Sequence, residues 1–415
     1  SKASLEHYLK VCGKQFSKLL SSQQVQAEAD RVWCGVERCL FGNGKELHFK
    51  KLMDFDTIGG KSNKNGARFD LDAMYVNWLG LSLKCYLPKS ENSLSYVWES
   101  LKGKISYCNI KRLMFSSGWR YYAEIVVSGA APTRVSIGTS TMGIDPGVST
   151  IAGVSEDACV LEELAPNAIQ YEKKIQKISQ RMDHSRRISN PNKYNEDGTI
   201  NRSNRDPWKY SKNYVKMCRL LKSLYRKKHA YIVDSHRKLC NKLITIARYF
   251  PVEKMHFQAL QKRAKETKRQ ENKTEVKQRD GTVKVIQKYK RKKRFGRSIN
   301  RRAPARFLLE LKRKAEAVGG VYAEVDTKEF KASQYNHVTD AYEKIPLSQR
   351  EKEIGNRKVQ RDLYSAFLIR NADLDFKHPD REKCEYEFEY FANLQDQLIL
   401  KMKESGLSMR QCFGF

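Results

Sequence analysis

The chain has 415 residues, 30% of them charged and 10% aromatic, with 79 Lys or Arg against 47 Asp or Glu: a formal net charge of +32 and a pI near 9.7. At about 100 to 200 residues per domain this is two to four domains, with chain enough for a sizeable core. No apolar run reaches about 18 residues, which sets a membrane aside, and so large a positive excess calls for a polyanionic partner, nucleic acid first.

Ten cysteines (12, 34, 39, 85, 108, 159, 218, 240, 384, 412) never form Cys-x-x-Cys, against both a zinc ribbon and a secreted disulfide framework. A reducing cytoplasm, beside a bacterial or archaeal nucleoid, is the expected location. The first residues, Ser1-Lys-Ala-Ser4, lack an initiator Met, so an N-terminal piece is expected to be missing.

In chain order, residues 4 to 41 carry apolar positions at helical spacing, broken near Ser21-Ser22 and ended at Gly42-Asn43-Gly44. That predicts a helical pair. From Leu47 the period becomes two, with strands expected over 47–50, 69–73, 81–86, 105–113 and 119–127. The polar connection Gly59 to Gly66 lacks the spacing of a phosphate loop. Lys61, Lys64, Arg120 and Tyr121 in this part suit backbone contact and base stacking, although a half-buried strand face explains Tyr121 about as well.

Residues 135–144 and 148–154 read as adjacent antiparallel strands, with Pro146-Gly147 as punctuation, and 158–164 as a third. Asp145 therefore ends a central strand, where an unpartnered carboxylate is costly and a hard cation is a natural partner. Taken alone, an Asp capping a strand turn is the stronger reading of Gly143-Ile-Asp-Pro-Gly147. Helical patterns follow over 169–182 and 210–247, joined by a polar segment. Their cations, among them Arg186, Arg187, Arg226, Lys227 and Lys228, are read as a phosphate-tracking channel, against the blander solvated helix face.

A short apolar strand then ends in Glu253. The stretch Gln261 to Arg302 holds 18 Lys or Arg against 4 acids. Its run Lys290, Arg291, Lys292, Lys293 and Arg294, with Arg297, Arg301 and Arg302, has no apolar period for a core and is expected to take its order from phosphates. Pro304 opens a helix that Gly319-Gly320 ends, 321–325 is a strand, 326–357 a polar insert, 359–369 a helix with Asp362 in its first turn, and 385–403 an amphipathic helix. Asp145, Glu253 and Asp362 thus fall on strand, strand and helix. That is the layout of RNase H-like nucleases, whose acids hold two metal ions about 4 Å apart.

The chain resembles the TnpB family of insertion-sequence proteins, relatives of the type V CRISPR effectors. The resemblance is carried by Gly143-Ile-Asp-Pro-Gly147, Val252-Glu-Lys-Met255 with Ala259-Leu-Gln-Lys-Arg263, Phe295-Gly-Arg-Ser298 with Arg302-Ala-Pro304, Ala332-Ser-Gln-Tyr-Asn-His337, Leu347-Ser-Gln-Arg350 and Gln360-Arg-Asp-Leu-Tyr-Ser-Ala-Phe367. It implies an α+β multidomain chain: an RNase H-like (RuvC) nuclease domain with an N-terminal β-barrel-like wedge domain and a helical recognition insert. The implied parts are a helical recognition segment (1–45), a wedge (46–138), the nuclease domain in two pieces (139–327 and 359–415) and a target-nucleic-acid-binding insert (328–358).

The implied activity is RNA-guided DNA cleavage after recognition of a short target-adjacent motif. Asp145, Glu253 and Asp362 are the implied catalytic and metal-holding acids, Mg²⁺ or Mn²⁺ the two ions, and guide RNA and double-stranded target DNA the partners of a monomeric ribonucleoprotein. Glu253 is preferred over Gln258 as the second acid because it ends the apolar strand. The family's four zinc cysteines have no counterpart between Asp326 and Asp362, so no zinc is expected. The competing readings are a nuclease-derived RNA-guided repressor, against which all three acids survive, and a guide-free nuclease acting on structured junctions.

Overall fold

The computed structural model describes all residues except 43, 51–53, 197, 262–270, 278–282, 288–294, 347, 409–412 and 414–415. The chain forms two compact units, residues 1–132 with 175–226, and residues 133–174 with 227–415. Both unit boundaries within 133–227 fall inside helices, so the middle of the expected nuclease piece groups with the N-terminal part.

In the first unit, α1 (Lys2–Gly13) and α2 (Ser22–Leu40) are separated where Ser21 begins a capping box with Gln24, each side chain satisfying the other's backbone N–H. The β-rich part is two three-stranded sheets rather than one closed barrel. Strand β1 (Thr57–Ile58) pairs β5 (Ile105–Phe115), which pairs β6 (Gly118–Val127), while β2 (Arg68–Asp70), β3 (Tyr75–Trp78) and β4 (Leu81–Lys84) form a meander. Helix α3 (Glu91–Leu101) closes their core with Leu101 beside Phe69, Val76, Cys108 and Ile110. This helix is absent from the elements expected on periodicity. The strand expected over 47–50 does not form; these residues pair with nothing described, and Phe49 lies 95% exposed, so no apolar face exists to hold a strand there.

The second unit is built on one sheet of order β10-β9-β8-β11-β14, with the short β7 (Ser140–Thr141) also on β11. Strands β8 (Gly143–Pro146), β9 (Thr150–Val154) and β10 (Cys159–Glu163) are antiparallel, whereas β11 (Ala247–Glu253) runs parallel to β8, and β14 (Val321–Val325) parallel to β11. Helices α4 (Ala168–Ser189) and α5 (Lys212–Ile246) connect β10 to β11. One apolar cluster packs Met142, Ile144, Ile151 and Phe250 against Leu239 and Leu243 of α5 and Phe307 and Leu311 of the later helix 304–317. The other packs Ala152, Val154 and Leu161 against Leu363, Tyr364, Phe367 and Phe391. The sheet is therefore covered on both faces, which is why its strands read as continuous apolar runs.

Between β11 and β14 come α6 (Phe257–Gln261), the hairpin β12–β13 (Thr274–Lys277, Val283–Ile286), α7 (Gly296–Arg302) and α8 (Pro304–Ala317). After β14 come α9 (Thr327–Phe330), the pair β15–β16 (Tyr335–Asn336, Ala341–Tyr342) and the hairpin β17–β18 (Glu351–Ile354, Arg357–Gln360). The expected helix start at Val359 is thus corrected: 357–360 is strand, and α10 (Arg361–Arg370) begins after Gln360, whose side chain accepts from Leu363 N–H at 2.7 Å. Residues 361 and 363–370 of α10 are all buried, and α11 (Arg381–Glu404) covers it. Gly143 makes this close approach possible, because a Cβ there would stand 2.2 Å from the Ala366 carbonyl oxygen and 2.4 Å from the Arg370 nitrogen.

Candidate active site

The register of the central strands brings two carboxylates side by side. Val252 of β11 pairs Ile144 of β8 in parallel, so Glu253 and Asp145, one residue further on each strand, occupy neighbouring places at the strands' C-terminal ends. Helix α10 crosses β8 at Gly143, and Asp362 sits in its first turn. Residues more than a hundred positions apart in sequence converge here because one helix can lie against one glycine.

The electrostatics follow from enclosure. Asp145 keeps some accessible surface, yet protein surrounds its carboxyl closely, and its pKa is raised well above the ordinary carboxylate value. Burial is the largest cause, followed by repulsion from Glu253 and Asp362 and a side-chain hydrogen bond with Glu253; the Arg361 guanidinium opposes the rise. Glu253, 8% exposed, is also pushed up by burial, with hydrogen bonds from Asp145 and Thr327 pulling the other way. Burial and mutual repulsion thus both oppose full ionisation of the two neighbouring carboxyls.

Asp362 is held differently. Arg361 donates to one carboxylate oxygen from Nε at 3.2 Å and Nη2 at 3.0 Å, and Arg350 donates to the other from Nη1 at 3.3 Å. Among the described residues no group of three or more His, Cys, Asp or Glu is disposed to hold a metal ion, and Asp362 is turned to guanidinium groups. The donor chemistry nonetheless fits a hard divalent cation: oxygen ligands only, from three acids on adjoining elements, with Arg350 and Arg361 against one of them.

Three residues outside the expected set belong to this site. Arg350 and Arg361 lie in the quoted Leu347-Ser-Gln-Arg350 and Gln360-Arg-Asp-Leu-Tyr-Ser-Ala-Phe367 strings, so their signal was present in the sequence but carried no role there. Thr327, the first residue of α9, donates to the Lys254 carbonyl and touches Glu253; nothing in its local pattern marks it. Gln258 is an exposed residue of α6. His337 is 1% exposed, its Nδ1 2.7 Å from the Tyr364 hydroxyl and its ring against Phe388, and burial pushes its pKa down to about 4.

The expected nucleic-acid residues have differing surroundings. Several are engaged by acids: Lys61 with Asp30 at 2.7 Å, Arg186 and Arg187 with Asp183 at 2.8 Å each, Lys228 and Arg301 with Glu172 at 2.9 and 2.7 Å, and Arg302 with Glu163. Arg226 packs over the Phe115 ring. Lys64, Arg120, Tyr121, Lys227 and Arg297 are exposed. Lys290 to Arg294 lie outside the described residues. No helix among the described residues is long and apolar enough to cross a membrane.

No protein-family model matches the chain, and no curated protein sequence matches it. In three dimensions it is similar to the Cas12f1 chain of the cryo-EM structure of the Cas12f1-sgRNA-target DNA complex, with a TM-score of 0.51 at 12% identity, covering 89% of this chain and 76% of that one. A cryo-EM structure of a CRISPR-Cas12f ternary complex matches over 92% of this chain and 75% of that one at 14% identity, with a TM-score of 0.31 that carries no argument. What the chain shares at such identity is the fold, an α+β multidomain architecture like that of Cas12f1.

Proposed function

We propose that the protein is an RNA-guided DNA endonuclease whose hydrolytic site is built from Asp145, Glu253 and Asp362 in an RNase H-like unit of the RuvC type. The observation that carries this is the placement of Asp145 and Glu253 side by side on adjacent parallel strands, with Asp362 in the first turn of the helix that lies against Gly143. The antiparallel-then-parallel order of the sheet, the likeness to a fold seen with sgRNA and target DNA, and the +32 charge support it.

Two Mg²⁺ or Mn²⁺ ions at these acids would supply an activated water and neutralise charge on the phosphodiester. Asp145, Glu253 and Asp362 would hold them through carboxylate oxygens. The protein's own work is to present these acids in ionised form, with Asp362 turned from Arg350 and Arg361, and to hold the strand on cationic surface while guide pairing supplies sequence. Thr327 keeps Glu253 in place.

The test is cleavage of a target complementary to the co-purified RNA, sequenced beforehand. Asp145→Ala should abolish metal-dependent cleavage and leave guide and target binding nearly unchanged. Glu253→Ala should cost at least roughly a hundredfold, about 2.7 kcal/mol of barrier, and Gln258→Ala should cost nothing measurable. Wild-type cleavage by Asp145→Ala would sink the assignment of the site.

A further inference from the structure

The tip of the β5–β6 hairpin gathers positive charge in a way its fold does not require. The strands meet at a two-residue turn, Ser116-Ser117, between Phe115 and Gly118. Beside that turn two aromatic rings each carry two cations. Arg120 and Arg226 lie 4.6 and 3.8 Å from the Phe115 ring centroid, and Arg112 and Lys222 lie 4.4 and 5.9 Å from that of Trp119. Lys222 and Arg226 are four residues apart on α5 and so share one face of that helix. Tyr122 stacks near Phe115 at 6.5 Å and is itself exposed.

A cation on an aromatic face is a common brace, but one cation per ring suffices for it. Here the rings bring like charges together. Asp54, exposed, lies 3.2 Å from Lys222, and among the described residues Arg120 and Arg226 have no acid at ion-pair distance. The guanidinium groups are also aimed: Arg226 Nε donates to the Met114 carbonyl at 3.3 Å and Arg112 Nε to that of Phe55 at 3.0 Å, which fixes each plane through its inner nitrogen. Like charges fixed around shared rings are stabilised by an anion among them, and planar guanidinium groups suit phosphate oxygens.

We propose that this tip is a clamp for consecutive phosphates of a nucleic-acid backbone, with Arg120 and Arg226 as its principal contacts and Arg112 and Lys222 flanking them. It rests on the reading that the chain carries nucleic acid, not on the chemistry at Asp145. The phosphodiester could belong to a guide RNA or to the target duplex, and the probes distinguish these.

The 415-residue chain, stripped of nucleic acid, is titrated in metal-free buffer over a KCl series with a mixed-sequence RNA and a DNA duplex of about 30 nucleotides or base pairs. Replacing both Arg120 and Arg226 by Gln should flatten the dependence of log affinity on log salt by about 1.4 for the RNA or about 1.8 for the duplex, and the probe that shows the loss names the source. Arg120→Gln alone, at an exposed side chain, should give about half of it and serves if the double variant does not fold. Lys102→Gln, at an exposed lysine paired with Glu99, should leave the slope unchanged. Without nucleic acid, Arg226→Gln should leave the melting temperature unchanged or raised, since it removes repulsion. A fall in melting temperature with unchanged slopes for both probes would make the cluster a structural brace and overturn the clamp. Absence of salt-dependent binding by the wild-type chain would overturn the nucleic-acid reading along with it.

Discussion

Replacing Gly143 by Ala tests the contact on which the convergence of the three acids depends. The new methyl would meet the Ala366 carbonyl oxygen at 2.2 Å, the Arg370 nitrogen at 2.4 Å and the Arg370 Cα at 2.9 Å, where ordinary contacts begin at 3.4 Å. All three atoms are backbone, so no rotamer change relieves the clash, and α10 must retreat from β8 by about 1 Å. Overpacking typically costs about 1 to 3 kcal/mol, and a backbone obstruction belongs at or above the upper end. For a unit of this size about 3 kcal/mol lowers the melting temperature by roughly 6 to 12 °C. The control is Gly355→Ala in the β17–β18 turn, where nothing lies within 4 Å and only a φ of +56° opposes a side chain; it should cost about 1 to 2 kcal/mol. Thermal melts followed by far-ultraviolet circular dichroism read both. Cleavage by the Gly143 variant should fall more than its stability accounts for at 25 °C, because Asp362 rides on α10. A melting temperature within about 2 °C of wild type would refute the close-contact argument.

Asp145→Asn should raise the melting temperature in metal-free buffer at neutral pH. The folded-state values of Asp145 and Glu253 are raised above 3.8 and 4.5, so the folded chain holds more protons than the unfolded one, and their contribution to stability, present below the ordinary carboxylate values, is lost as pH rises through the raised ones. The variant's advantage should therefore grow from acid to neutral pH, and Mg²⁺ or Mn²⁺ should stabilise the wild type more than the variant; an Asn variant less stable than wild type at neutral pH would contradict this. Elemental analysis of the purified chain should find no stoichiometric zinc, and about one zinc per chain would show a ligand set outside the expectation. Replacing Lys290 to Arg294 by Ser should lower the salt slope of guide or target binding by several units at roughly 0.7 to 0.9 per phosphate, and leave the metal optimum alone.

Local patterns in the chain were enough to mark the two central strand ends and the helix opened by Pro304 and ended by Gly319, because apolar period and Gly or Pro punctuation act over a turn or a strand. The same reasoning missed α3 and placed the start of α10 two residues early. The four residues before α10 pair as a hairpin with 351–354, and a hairpin is chosen by its partner strand as much as by its own period. Some charge pairing was also legible: Asp183 stands three and four residues before Arg186 and Arg187, the spacing at which helical neighbours pair. The remaining pairings were not. Glu172 holds Lys228 and Arg301, Arg350 holds Asp362, and Asp145 lies beside Glu253, each across a separation that only packing closes. A sequence gives each side chain its charge and the face it presents. Whether that charge is buried, neutralised or left open to a phosphate depends on what the tertiary structure sets against it, because electrostatic energy is fixed by distance and enclosure.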